Sequence, residues 1–188
     1  MDGGGGLDIW LVKEPGQLGA VVRKLEETMN YGGRGFSGFI VESLLDGDKY
    51  SLQGLVHNGR PHAFTCCQKV IEQQRDAQGC VNFYESGHVA VADDALPPAF
   101  ARLMAYCCDT FDYRCGAFHI DFIVVDGVPH FVEMGFRLSG MGLVNLIQEV
   151  TDIKWAEVAF RRTAICPRCA FRHRHARWAS CACTSRRS

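Results

Sequence analysis

The stretch "HIDFIVVDGVPHFVEMGFRLSGMG" covers residues 119–142 and consists of two apolar runs on either side of Asp126-Gly127. Asp-Gly between such runs is typical of a tight β-hairpin turn, so the stretch predicts two antiparallel strands. Because side chains alternate between the faces of a strand, one set is predicted to lie in the core: Phe118, Ile120, Phe122 and Val124. Asp121 and Glu133 interrupt the apolar runs, which makes them candidate functional residues.

The length of the turn decides whether these two acids meet. A two-residue turn places Asp121 opposite Val132, whereas a three-residue loop pairs Val125 with Pro129 and places Asp121 opposite Glu133. Two facing carboxylates repel each other unless a cation lies between them, and Mg²⁺ prefers such oxygen ligands. The spacing also allows the alternative that one acid points to solvent.

The rest of the chain predicts an α+β fold with an antiparallel sheet. Amphipathic helices are expected over residues 15–29, from Pro97-Pro98 onward, and over residues 143–150. Strands are expected near residues 7–12 and over 39–45, 50–56 and 61–70, whereas residues 70–90 are polar and predict an irregular excursion. The histidines of this part of the chain are dispersed, and we expect them at surface or strand positions without a catalytic role: His57, His62, His88, His119 and His130.

Charge is distributed unevenly along the 188 residues. Eight Arg and no acid lie in residues 161–188, although the whole chain carries 20 basic and 21 acidic side chains. No apolar run approaches the roughly 20 residues of a membrane span, and a glycine run with Asp2 does not make a signal peptide. We therefore expect a cytoplasmic protein without a membrane partner, with most of its ten cysteines reduced and buried.

Residues 161–188 show neither helical nor strand periodicity, and we expect a disordered tail rich in Arg and Cys. One alternative is a zinc site formed by four cysteines of this segment: Cys166, Cys169, Cys181 and Cys183. A less favoured alternative is nucleic-acid binding through the Arg residues together with Phe171 and Trp178.

Five motifs, taken in order, resemble the ATP-grasp superfamily of ATP-dependent carboxylate–amine ligases. They are "FIVESLLDGDKYSLQGLVHNGRPH" from residue 39, "CCQKV" from residue 66, "YESGHVAV" from residue 84, Asp121 with "DGVPHFVEMGFRLSG" from residue 126, and "LVNLIQEVTDIKW" from residue 143. The resemblance covers residues 7–160. It implies an ATP-grasp-like antiparallel sheet with packed helices over residues 1–160, a partial domain truncated at its N-terminus.

The resemblance also implies roles for individual residues. Asp121 and Glu133 would hold Mg²⁺, or Mn²⁺ in its place, at the ATP phosphates. Arg137 would contact the phosphates or an acyl-phosphate intermediate, and Lys69 matches a lysine that faces the active site. Gly135 stands where the family usually has a metal-binding Asn.

Residues 39–62 resemble the family's adenine-binding hinge. The residues that would contact ATP there are Glu42, Ser43, Leu44, Leu45 and Lys49. Many members have Glu where this chain has Lys49 and Gln53. "MDGGGG", residues 1–6, resembles the remainder of a phosphate-binding loop.

These motifs imply an ATP- and Mg²⁺-binding domain of a ligase that joins amino acids or similar small carboxylates and amines through an acyl phosphate. The alternatives are an ATP-binding fragment without catalysis, and a structural remnant with a zinc- or nucleic-acid-binding tail. The sequence does not identify the two substrates or the oligomeric state.

Overall fold

The computed structural model describes residues 9–30, 32–91 and 96–165. The predictions for residues 1–6 and for residues 166–188 of the expected tail, with its zinc or nucleic-acid site, lie outside the described residues. Residues 161–165 are helical, which differs from the expectation of a tail without regular structure from residue 161 onward. The helices are α1 Pro15–Glu27, α2 Pro98–Thr110, α3 Leu143–Thr151 and α4 Trp155–Ile165. The strands are β1 Ile9–Leu11, β2 Asp48–His57, β3 Arg60–Arg75, β4 Val81–Val91, β5 Gly116–Val125 and β6 Val128–Gly135.

The described strands form one sheet in the order β1-β4-β3-β2-β5-β6. The pairings β1–β4, β2–β3, β2–β5 and β5–β6 are antiparallel, which confirms the predicted mixed fold with an antiparallel sheet. The described part of the chain divides into two compact units: the residues up to Leu45 together with residues 70–87, and residues 46–69 together with those from His88 onward. Among the described residues no helix is both long and apolar enough to span a membrane.

In the first unit, β1 pairs with β4 through Ile9 and Phe83. Helix α1 is tied to the turn between β3 and β4 because Lys24 Nζ lies 2.7 Å from Asp76 Oδ2. The other oxygen of Asp76 accepts hydrogen bonds from the backbone N–H groups of Gln78 and Cys80 at 2.9 and 2.8 Å, which closes the turn.

Two predictions for the first unit are wrong. Residues 39–45 form no strand; their apolar side chains are largely exposed, and Val41 is 71% accessible. Residues 70–90 are not irregular, because β3 continues to Arg75 and β4 begins at Val81. Polar residues are compatible with these strands because many of their side chains are exposed to water.

The second unit has an apolar core on each face of its strands. One face of β2 and β5 packs on α2, where Leu52, Phe118 and Ile120 are fully buried. The other face carries a second core at one end, where Leu55 and Ala117 pack with Ile147 of α3 and Trp155 of α4. The Trp155 indole N–H donates to the Gly54 carbonyl at 3.0 Å and anchors α4 on β2.

Residues 119–142 form the predicted hairpin, but its turn length and its strand pairing combine differently from both predicted alternatives. The turn has two residues, since Val125 pairs with Val128, and Asp126 and Gly127 have φ angles of 50° and 77°. Two successive positive φ angles are typical of a type I′ hairpin turn. The register then shifts between Phe122 and Asp121, where an extra residue, Val132, is accommodated as a β-bulge. Asp121 consequently pairs with Glu133 in spite of the short turn.

Candidate active site

Alternate residues of β2, β3, β5 and β6 form a polar face in the second unit. The register pairs Ser51 with Asp121, Gln53 with His119, and Asp121 with Glu133, and directly paired residues lie on the same side of a sheet. We use "polar face" for the following residues: Lys49, Ser51, Gln53, Lys69, His119, Asp121 and Glu133. The intervening residues of β5 point into the core on α2, so the same strands build both surfaces.

Asp121 and Lys69 form an ion pair at the centre of this face. Lys69 Nζ lies 2.5 Å from Asp121 Oδ2, and the two side chains are only 14% and 15% exposed. Burial raises the pKa of Asp121, and the neighbouring Lys69 counteracts part of that rise. A carboxylate so poorly hydrated depends on a nearby cation to remain charged.

Glu133 lies across the strand pair from Asp121, and its side chain is 64% exposed. His119 Nε2 lies 3.9 Å from Glu133 Oε1. The interaction with this imidazole is the main cause that lowers the pKa of Glu133; burial opposes it, while Lys69 and Arg137 lower it further. Glu133 is therefore the acid of the pair that most readily stays ionised.

Two further cations lie near these acids. Burial lowers the pKa of Lys49; the charge of Asp46 opposes this shift, whereas the charge of Lys69 adds to it. Arg137 follows β6, is exposed, and donates from Nη1 to the Leu138 carbonyl at 2.9 Å. Acids surrounded by lysine and arginine are suited to bind a phosphate chain together with a divalent cation.

The structure brings together most of the predicted site residues, but not all of them. Lys49, Lys69, Asp121, Glu133 and Arg137 all belong to the second unit. The predicted hinge residues belong to the first unit, where they lie outside any strand: Glu42, Ser43, Leu44 and Leu45. Their role in binding adenine stays a prediction.

Three residues of the polar face are not among the predicted site residues: Ser51, Gln53 and His119. His119 lies at a strand position in β5, as expected, and is 4% exposed, whereas Gln53 is fully buried. Within the described residues, His119 Nδ1 and Gln53 Oε1 have no hydrogen-bond partner. Strand alternation offered one signal, because His119 stands two residues before Asp121 and must share its face.

The side chains of the described residues do not by themselves enclose a metal ion. In the part of the chain that the structure describes, no group of three or more His, Cys, Asp and Glu side chains is arranged to hold one. The six cysteines at positions 66, 67, 80, 107, 108 and 115 are free thiols. Burial raises the pKa of Cys66 and of Cys108 to about 12, so these thiols stay protonated and are poor metal ligands or nucleophiles.

Comparison with known proteins identifies the fold. No curated protein sequence matches the chain. An L-amino acid ligase from Bacillus licheniformis matches with a TM-score of 0.60 and 21% identity, over 80% of this chain and 35% of the ligase. A D-alanine–D-alanine ligase from Bacillus anthracis matches with a TM-score of 0.35 and 15% identity, over 63% of this chain and 36% of that one.

The chain thus spans about a third of the length of each of these solved ligases. The first of them has the same fold. A family model for the ATP-grasp domain matches residues 1–141, three quarters of the chain. The chain belongs to the ATP-grasp family.

Proposed function

We propose that this chain is the ATP- and Mg²⁺-binding domain of a carboxylate–amine ligase that joins amino acids or similar small acids. One observation carries the proposal: the bulged hairpin pairs Asp121 with Glu133 beside Lys69 on the polar face of an ATP-grasp sheet. The name of the related L-amino acid ligase supports amino acids as the substrate class.

The residues present fit a magnesium ion bound together with a nucleotide. Mg²⁺ at ATP sites is commonly held by one or two carboxylates, with phosphate oxygens and water completing its coordination. Two acids paired across the hairpin satisfy this requirement without a third protein ligand. Asp121 and Glu133 would hold the ion, which would neutralise charge on the phosphates during transfer.

The basic residues would act on the phosphate chain directly. In the proposed reaction, a substrate carboxylate oxygen attacks the γ-phosphorus of ATP, ADP leaves, and an acyl phosphate forms. An amine nitrogen then attacks the acyl carbon, the carbon–oxygen bond to the phosphate breaks, inorganic phosphate leaves, and the nitrogen gives up a proton to solvent as the amide forms. Lys69 and Arg137 would orient the transferring phosphoryl group and offset its negative charge, which is the main task of a protein in phosphoryl transfer.

The nucleotide itself would be held by the segment before β2. Backbone groups of residues 42–45 would bind the adenine edge, Leu44 and Leu45 would cover its face, and Lys49 would contact the nucleotide from β2. We also propose a cytoplasmic location, where Mg·ATP is abundant.

A thermal-shift titration with Mg·ATP tests the proposed binding. We expect Mg·ATP to raise the melting temperature of the parent chain, and we expect Asp121→Asn and Glu133→Gln to abolish that rise, because a ligand that binds only the folded state stabilises it. Asp126→Asn is the matched control, since Asp126 is exposed in the turn and should keep the full shift. No shift in the parent at millimolar ATP would exclude nucleotide binding.

Phosphate release separates a ligase from a chain that only binds ATP. We expect ATP-dependent release of inorganic phosphate when a panel of amino acids is supplied as carboxylate and amine. Binding of Mg·ATP without any release across the panel would favour the second candidate, an ATP-binding fragment without catalysis.

A further inference from the structure

Gly135 and His119 are directly paired across β5 and β6, and the imidazole fills the space above the glycine. A Cβ atom added to Gly135 would lie 2.0 Å from His119 Cε1, 2.6 Å from Nδ1 and 2.8 Å from Nε2. Gly135 does not have a positive φ angle, so its backbone conformation is open to any residue. Any side chain at this position would force the ring of His119 to move.

The space above Gly135, which the imidazole of His119 fills, fixes the direction in which the ring points. His119 is almost fully buried between the β2 and β6 neighbours of β5, and its Nε2 faces the Glu133 carboxylate at 3.9 Å. Glu133 is largely exposed, and an exposed glutamate samples several rotamers unless a neighbour restricts them. The buried ring is a rigid partner for an otherwise mobile carboxylate.

We propose that His119 is a positioning residue for Glu133, and that Gly135 is needed because a residue without a side chain leaves room for the imidazole. His119 holds the Glu133 carboxylate on the polar face beside Asp121, which prepares both acids for a divalent cation and its nucleotide. This inference rests on the proposed function and adds to it a residue that acts through Glu133. The lowered pKa of Glu133, caused mainly by His119, is in accord with this contact.

The test is a double-mutant cycle on the affinity for Mn·ATP, measured by isothermal titration calorimetry on the 188-residue chain. We expect His119→Ala to weaken binding about fivefold to tenfold, within the range of coupling between contacting residues. In the Glu133→Gln background the same change should alter the affinity by less than about twofold, because the group it positions is already lost. His62→Ala, which removes an exposed imidazole paired with Leu55, seven residues from Lys69 in β3, is the matched control and should leave the affinity unchanged.

A second double-mutant cycle tests whether the imidazole of His119 needs the space above Gly135. Gly135→Ala should displace the ring, weaken Mn·ATP binding as much as His119→Ala does, and lower the melting temperature without ligand. In the His119→Ala background, alanine at position 135 should cause much smaller losses, because the ring that it would strike is absent. Gly87→Ala is the control: a Cβ on this β4 glycine would meet no atom within 4 Å. If His119→Ala does not fold, His119→Gln, which retains more of the buried volume, is carried through both cycles.

The outcomes distinguish this inference from the proposed function. If Mn·ATP does not bind the parent, or binds Asp121→Asn and Glu133→Gln equally well, the proposed function fails and this inference fails with it. If binding depends on both acids but His119→Ala has no effect, or has the same effect with and without Glu133, only the positioning role of His119 is overturned.

Discussion

Asp121 and Phe122 are neighbours in β5, yet they lie on opposite faces of the second unit and serve different purposes. Phe122 is 1% exposed, and its ring lies 4.7 Å from the ring of Phe100 and 5.8 Å from the ring of Tyr50. Asp121 is paired with Lys69 on the polar face. The comparison shows how one strand with a period of two residues contributes to the core on one side and to a candidate active site on the other.

The largest effect should come from the apolar face. Phe122→Ala removes a ring from the core on α2 and should lower the free energy of unfolding by about 3–5 kcal/mol, because the cavity is only partly filled by relaxation. Urea denaturation followed by tryptophan fluorescence measures this loss. Phe131→Ala is the control, since Phe131 is 43% exposed; an equal loss for both variants would show that the two positions are not different in packing.

A smaller effect should follow from breaking the ion pair on the polar face. Lys69→Met leaves the Asp121 carboxylate with little hydration and without its cation, and should lower the free energy of unfolding by about 1–3 kcal/mol at pH 7. In the Asp121→Asn background the same substitution should cost much less, because no charge is left unpaired. Equal losses in both backgrounds, again from urea denaturation, would contradict a coupled pair.

The turn of the hairpin belongs to neither face. Replacing its glycine, Gly127, should therefore lower the free energy of unfolding less than the two changes above. Gly127 has a φ angle of 77°, and a Cβ added to it would meet no atom within 4 Å. Gly127→Ala should therefore cost only the backbone strain of a left-handed residue, about 1–2 kcal/mol in unfolding free energy. Gly127→Asn should cost less, since Asn tolerates this conformation better. A loss as large as that of Phe122→Ala would show that the turn has a packing role.

The smallest effect should be the pH dependence that Asp121 and Glu133 add to the free energy of unfolding without metal. It should be small because the pKa of one acid is raised and that of the other is lowered. The pKa of Asp121 is raised in the folded state, so its contribution is present below the ordinary value of 3.8 and is lost as the pH rises through the raised pKa. The pKa of Glu133 is lowered, so its contribution is present above 4.5 and is lost as the pH falls through the lowered pKa.

Unfolding free energies of the parent, Asp121→Asn and Glu133→Gln, measured at a series of pH values without metal, should separate the two contributions. Relative to Asp121→Asn, the parent should lose stability with rising pH. Relative to Glu133→Gln, it should lose stability with falling pH. If the unfolding free energies of the parent and of Asp121→Asn changed equally with pH, burial of Asp121 would have no energetic consequence.

Much of the polar face could be predicted from sequence, but the reason for its geometry could not. The pairing of Asp121 with Glu133 was expected from a three-residue loop, whereas the structure reaches it through a two-residue turn and a bulge at Val132. Nothing in the local sequence marks Val132 as the extra residue. A bulge depends on the fit of two strands to each other and to their neighbours, so it is decided by the assembled sheet.

His119 illustrates the same limit at a single residue. Its packing on Gly135 is not predictable from the local sequence, because Gly135 lies sixteen residues later and faces it across a strand pair. In the sequence, Gly135 stands out only as a departure from the family pattern. The structure shows that the imidazole of the neighbouring strand takes up that space.

The sequence by itself determined the order of most helices and strands, the hairpin of residues 119–142 and the two-faced character of its strands, because alternation and turn residues act over a few positions. It also indicated the ATP-grasp family, which comparison confirms. The tertiary structure decided the bulge, the partner of Asp121, the packing of the His119 ring on Gly135 and the absence of a strand at residues 39–45. These features depend on contacts between residues far apart in the chain, and such contacts leave no local pattern.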